Sequence, residues 1–390
     1  MTAGPATSRT LKEINLRTVF QTIRAERPVS RAQLARRTGI SKPTVSALLQ
    51  DLLEMGLVAE TGPQGRPAQG PTYGALFFSP RPDAAHVLGL DMGARRLRGV
   101  LADLEGTVLI REDVDVDGQD APRVVAASAR LADRLAAEAG LPRTALRHTA
   151  VGVPGVVDRR RGRLAQALNV PALDGFPAEA EFRSALRMPV TVENDINLAA
   201  LGERWCGLGR DAEDFAFVSI GTGVGAGLVL RGELHRGFSG AAGELDYAID
   251  QRSQPDNDPC APALLRYARA RLQVPADGPP LTTERVFALA REGHPGALAV
   301  LDEEARRITG YIAPLAAVAD VELVVLGGGI GLNGDLLLDR VSARLAGRVP
   351  YPPRLAVSGL GSGAVLSGAV AVAAQAALEQ ILSHRFHAPL

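Results

Sequence analysis

The stretch Asp214–Arg236, DFAFVSIGTGVGAGLVLRGELHR, decides the architecture. An apolar run ends at a glycine turn, and a second apolar run follows directly. Runs of this length bounded by glycine read as buried strands, so the stretch predicts strand, glycine turn, strand. Gly221, Gly223, Gly225 and Gly227 put four glycines into the seven residues of GTGVGAG. Each adds to the chain entropy lost on folding, so the concentration needs a reason. One reason is a nest of backbone N–H groups that an anion such as phosphate can approach closely. The other is an ordinary tight hairpin.

Working outward, similar units recur. HVLGLDMG, beginning at His86, is a buried-type strand that ends in Asp91-Met92-Gly93, and ARRLRGVLADLEGTVLIRED reads as two more strands in a meander. A helix over VVAASARLADRLAAEAG precedes the strand TAVGVPG, and a further helix runs to Met188. The strand PVTVEND then passes into the helix INLAALGERWCG at Glu193-Asn194-Asp195. Asn194 or Asp195 there is either a simple N-cap or an amide and carboxylate presented together to sugar hydroxyls. A carboxylate so placed can also take a hydroxyl proton as general base. Near the C-terminus, VELVVLGGGIGLNGDLLLDRV reads as strand, triple-glycine turn and helix, followed by an Ala-rich helix. Alternating strands and helices make this body α/β, and two strand-rich halves that each begin with a glycine turn suit a duplicated domain.

The N-terminal region has a different texture. Leu11, Ile14, Val19 and Ile23 lie at helical spacing, with Pro28 marking the end. SRAQLARRTG follows, with Ser30 as N-cap and Gly39 as stop. In ISKPTVSALLQDLLEMG, Ser41 caps, Pro43 suits the first turn, and Val45, Leu48, Leu49, Leu52 and Leu53 form an apolar stripe. Two short helices across a glycine turn read as a helix-turn-helix. Ser41, Lys42, Thr44 and Ser46 stand at the end of the second helix that would enter a major groove about 12 Å wide. LVAET and YGALFF around a Gly/Pro-rich loop suit a wing, and Arg66 in Gly65-Arg66-Pro67 suits a minor-groove arm or a plain linker position.

Charge follows the same division. Residues 1–70 hold ten Lys/Arg against five Asp/Glu, a net of +5, leaving −5 on the rest of a 390-residue chain whose net charge is zero. A basic head on an acidic body suggests that the head meets a polyanion. The N-terminus lacks an apolar leader and no long apolar span stands out, so a cytoplasmic protein with no membrane contact is expected. Two cysteines, Cys206 and Cys260, cannot build a disulfide framework or a cysteine zinc site.

The order DMG, VGVPG, ENDIN, GTGVGAG, GELDY, VLGGG resembles the ROK family of sugar kinases and sugar-responsive repressors, and the preceding winged helix matches its repressor branch. The resemblance covers nearly the whole chain. It implies a winged helix-turn-helix followed by an actin-like (ribonuclease H-like) two-lobed sugar-kinase fold, in a homodimer or homotetramer. The expected divisions are 1–80 for the head, 81–198 for the first lobe and 199–362 for the second, with a helix over about 363–390 packing back on the first. By resemblance the sugar is held by Asn194, Asp195 and Glu244 with the Gly155 turn close by, and Asp195 matches the family's base. Asp91, Gly93, Gly221, Thr222, Gly223, Gly327 and Gly328 match its nucleotide-binding turns.

The departures are equally informative. Ala94-Arg95 stands where a kinase has Gly-Thr after the DxG turn. Tyr247 replaces the histidine expected at the end of the GE-x-GH stretch, Asp246 replaces its glycine, and Pro262 stands at the second sugar-binding glutamate. Only Cys260 survives of the family's cysteine cluster, and His235 and His294 are scattered, so no structural zinc or other metal is expected. Tyr247 can still offer a hydroxyl or an aromatic face to a sugar. The reading is a sugar-controlled repressor that binds duplex operator DNA, its kinase activity and ATP use lost. Its rivals are a sugar kinase that also binds DNA, a ligand-independent DNA-binding protein with the body as scaffold, and a head that binds protein rather than DNA.

Overall fold

The computed structural model describes residues 8–62, 76–118, 120–166, 170–247, 257–274 and 280–387. The head comprises α1 (Ser8–Glu26), β1 (Val29–Ser30), α2 (Arg31–Thr38), α3 (Lys42–Glu54), β2 (Val58–Thr61) and β3 (Phe77–Pro80), with the strands in the order β1-β3-β2. Local chemistry sets its helix boundaries. Ser30 and Gln33 form a reciprocal capping box on α2, and Gly39 ends it in the left-handed region at φ +71°. Ser41 caps α3 through the Thr44 amide. Leu34, Val45, Leu48, Leu49 and Leu52 are buried against Leu16, Val19, Phe20 and Ile23 of α1. The expected face of α1 is therefore partly corrected: Leu11 and Ile14 are exposed, because the packed stripe begins one turn later at Leu16. The wing strands pair as expected, while Arg66 and the loop around it lie outside the described residues.

The body contains two sheets of one topology. In the first lobe, β4 (His86–Met92), β5 (Arg96–Asp103) and β6 (Val108–Asp115) form an antiparallel meander, followed by α4 (Ala121–Glu138). Next come β7 (Leu146–Val153), the small hairpin β8 (Val156–Asp158) and β9 (Arg163–Ala165), α5 (Ala178–Leu186) and β10 (Val190–Asn194). The parallel strands β7 and β10 extend the sheet on the far side of β4, giving β10-β7-β4-β5-β6. Helix α6 (Asp195–Cys206) leads to the second meander, β11 (Phe215–Ile220), β12 (Val224–Leu230) and β13 (Glu233–His235). Three helices follow, α7 (Ala261–Leu272), α8 (Thr283–Arg291) and α9 (Pro295–Ala319). After them come β14 (Leu323–Gly327), α10 (Gly328–Gly331), α11 (Gly334–Leu345) and β15 (Arg354–Val357). The order β13-β12-β11-β14-β15 repeats the first sheet strand for strand, so the duplication anticipated from the sequence is a topological fact.

The last helix, α12 (Ala364–His387), packs on β4, β7 and α6 and reaches α1 of the head. The segment Gly361–His384, which runs into this helix, has the length and hydropathy of a membrane span, unlike the sequence reading, but more than half of its most apolar window is buried inside this fold. At its crossing with α6, a Cβ on Gly368 would stand 1.8 Å from the Leu198 carbonyl oxygen, and one on Gly202 would stand 2.3 Å from that of Ala364. Only glycine permits so close an approach. One hydrophobic core runs from Leu16 and Phe20 of the head through Val87 and Val100 to Ala369 and Leu382. Arg17 pairs with Glu379 across this junction, and Arg24 and Arg27 both reach Glu105. Part of the head's positive charge therefore grips the body rather than facing outward.

Candidate functional site

The two lobes meet at a cleft of about 430 Å³. Its floor is the β10–α6 junction with Asn194, Asp195 and Ile196. One wall is Pro154 and Gly155 beyond β7, and the other is the β11–β12 turn at Gly221, Thr222 and Gly223. Gln166, Ser219, Val224, Gly225, Glu244, Asp246, Asp258 and Gly329 complete the lining. A larger depression of about 850 Å³ between α4 and α5 holds Arg143, Arg147 and Arg187, but none of the candidate residues.

Asn194 is both cap and cleft residue. Its Oδ1 accepts from the Ile196 and Asn197 amides at 2.9 Å each, and its Nδ2 donates to the Gly155 carbonyl at 3.1 Å. Both lone pairs are thus engaged, which leaves one amide N–H for a ligand. Asp195 accepts from the Ile196 amide through Oδ1 at 2.9 Å and keeps part of its surface open to the cleft. Burial, then the negative charge of Asp91, push its carboxyl up to about 7, while the Ile196 amide pulls the other way. A carboxyl titrating near neutrality is placed to exchange a proton with a bound hydroxyl. Burial and neighbouring Asp246 also raise Glu244.

Several sequence candidates occupy other roles. Gly225 and Gly227 lie within β12, where added Cβ atoms would meet Ile196 at 2.5 Å and Ala200 at 2.7 Å. Half of the glycine-rich stretch thus lets α6 pack on β12, and only Gly221–Gly223 forms the turn. The Gly221 amide already donates to the Gly223 carbonyl at 3.0 Å. Gly327 makes room for the Phe217 ring, and Gly328, at φ +76°, for the Ile220 backbone, so that Gly329 is the residue lining the cleft. Asp91 is buried and accepts from Arg98 at 3.2 Å, and Gly93 donates its amide to the Arg96 carbonyl at 2.8 Å. Burial raises the Asp91 carboxyl, opposed by Arg98. Tyr247 is 58% exposed and does not line the cleft, whereas Asp246 does.

Cys260 donates its thiol to Asp258 at 2.8 Å, and burial with that bond pushes it up to about 12. Among the described residues, no three His, Cys, Asp or Glu side chains come together as a metal requires.

Sequence reasoning passed over Glu193. It is 2% exposed, and its Oε2 accepts from Arg159 at 2.9 Å and from Arg236 at 2.6 Å. Its signal was present: a carboxylate directly before the Asn-Asp pair, at the end of a buried strand.

On the head, Ser41, Lys42 and Thr44 are exposed at the α3 N-terminus and Ser46 is half-buried, its hydroxyl donating to the Lys42 carbonyl at 3.0 Å. Ser41 and Thr44 share a hydroxyl hydrogen bond of 2.8 Å. Arg31 of α2 lies 5.9 Å from the Phe78 ring centroid.

Comparison with known proteins matches residues 87–376 to the ROK family and residues 5–67 to the MarR family. The chain is 25% identical over 385 residues to the xylose repressor of Caldicellulosiruptor bescii, covering 93% of this chain and 96% of that one. The crystal structure of a ROK family transcriptional regulator, a homologue of the E. coli MLC protein, superposes with a TM-score of 0.81 at 24% identity over 96% of this chain and 99% of its own. A ROK family glucokinase from Streptomyces griseus, in complex with glucose and AMPPNP, gives a TM-score of 0.64 at 26% identity over 75% of this chain and all of its own.

Proposed function

Because the chain belongs to the ROK family, we propose that it is a DNA-binding transcriptional repressor controlled by a monosaccharide or derivative bound in the interlobe cleft. The observation that carries this reading is the division of parts. The winged head shares one core with the first lobe, whereas Glu244 reaches the cleft from the second. A ligand that touches Asn194, Asp195 and Glu244 together biases the angle between the lobes, and the head follows the first lobe. A coupling of about 1–3 kcal/mol changes operator affinity about 5- to 150-fold. In a homodimer or homotetramer two heads read half-sites about 34–36 Å apart, or a multiple of that. Xylose is the first ligand to test, since several relatives are xylose repressors.

The experiment is fluorescence anisotropy of the full-length chain on DNA upstream of its own gene, without ATP, titrated with xylose and then with other monosaccharides and their phosphates. A severalfold shift by one sugar is expected. Tight binding indifferent to every sugar would refute ligand control in favour of the scaffold reading.

A kinase activity has one feature in its favour: Asp195 lines the cleft, and burial pushes its carboxyl up to about 7. Against it, Asp91 is engaged by Arg98 and Ala94-Arg95 lacks the family's Gly-Thr. Phosphoryl transfer depends almost wholly on positioning and charge at those places. ATP-dependent phosphorylation of a hexose, abolished by Asp195→Asn, would establish it. Neither reading assigns the chain a structural zinc.

A further inference from the structure

We infer that Glu193 is the positioning residue of the cleft, holding both halves of the ligand site in register from opposite lobes. This inference rests on the reading of the cleft as the ligand site. Glu193 ends the first-lobe strand β10, and its carboxylate faces two ways. Through Oε1 it accepts from the Asn194 amide and from Asn197 Nδ2, at 3.1 Å each, which fixes the start of α6 where Asn194 and Asp195 stand. Through Oε2 it accepts from Arg159 of the first-lobe β8–β9 hairpin and from Arg236, which follows β13 of the second lobe. A short strap of chain, residues 237–243, joins Arg236 to Glu244, and its last residue, Gly243, accepts from the Ala226 amide of β12 at 2.8 Å.

Two further contacts fasten the same strap to the same hairpin. Arg160 lies 5.0 Å from the ring centroid of Phe238, whose side chain is otherwise exposed. Gly240, at φ +90°, passes so close that a Cβ would stand 2.7 Å from the Val157 carbonyl oxygen. Arginine, aromatic ring and glycine therefore bind one strap across the lobe boundary, and the strap ends at Glu244. A carboxylate removed from water among two guanidiniums and two amides forms directional, charge-assisted bonds. Loss of one arginine leaves the other still bound, so the register of Glu244 changes before the fold does.

The test uses the full-length chain and reads two affinities: that for operator DNA, and that for the monosaccharide found to shift it. Arg236→Ala removes a side chain that is 36% exposed. It is expected to weaken the monosaccharide at least about 5-fold while leaving sugar-free operator affinity within about twofold. Arg236→Lys, which keeps the charge, restores most of the loss, a rescue that a merely structural role does not produce. Should Arg236→Ala fail to fold, Arg236→Gln is measured against Arg236→Lys with the same expectation. Unchanged monosaccharide affinity in the uncharged variant, or equal loss in the lysine variant, overturns the inference. A wild-type chain that answers to no monosaccharide instead overturns the ligand-site reading itself.

Discussion

Asp195 makes a demanding prediction, because function and stability pull its carboxyl in opposite directions. Its ordinary value of 3.8 rises to about 7 in the fold, first through burial and then through the charges of Asp91 and Glu244. A carboxyl with a raised folded value binds its proton more tightly when folded. The stability linked to that proton is complete below about pH 4, falls as the pH climbs to about 7, and is gone above it. At about 1.4 kcal/mol per tenfold in proton affinity, the full difference is ~4 kcal/mol. Solvent in the cleft screens the open face of Asp195, so ~1–2 kcal/mol is the expected yield. Asp195→Asn preserves the shape and the oxygen that accepts from the Ile196 amide, but it cannot ionise. The variant should therefore be more stable than wild type by ~1–2 kcal/mol at pH 8 and equal to it near pH 4. Urea unfolding of both chains across this range measures the difference directly. A constant gap at every pH, or a loss of stability at pH 8, would refute the reasoning that burial, with the neighbouring negative charges, opposes ionisation at this position. The same variant should bind monosaccharide more weakly, since a ligand hydroxyl would lose a carboxylate acceptor.

Three other perturbations follow from the geometry. Lys42→Ala, at the exposed start of α3, should weaken operator binding evenly across sequences and reduce the salt slope of the logarithm of affinity by about 1; an unchanged slope would remove Lys42 from the phosphate contacts. Gly368→Ala puts a Cβ 1.8 Å from the Leu198 carbonyl oxygen, so α6 and α12 must separate, with a loss of ~3 kcal/mol by urea unfolding; a near-neutral result would mean that the crossing is not held so tightly. Glu105→Ala deprives Arg24 and Arg27 of their shared partner, and at ~1 kcal/mol it should make the head more susceptible to limited proteolysis while the body stays protected; equal cleavage of wild type and variant would show that the shared core alone holds the head.

What the sequence by itself determined is largely local. Ser30, Gly39, Ser41 and Asn194 announce helix ends because capping joins residues two to four apart, and apolar runs announce buried strands for the same short-range reason. The order of the glycine turns and the ENDIN segment was enough to indicate the family and a two-lobed body. Tertiary structure alone decided which of those residues remain available to a ligand. Gly227 is needed by α6 packing while Gly225 packs on α6 and also lines the cleft, Asp91 is engaged by Arg98, and the lone pairs of Asn194 are already occupied. Asp246, not Tyr247, reaches the cleft, and Leu16 rather than Leu11 begins the packed face of α1. The pairs that organise the site, Glu193 with Arg159 and with Arg236, lie 34 and 43 residues apart. No periodicity or cap links such positions; only the closure of two sheets around α6 brings a buried carboxylate and two arginines to the same point.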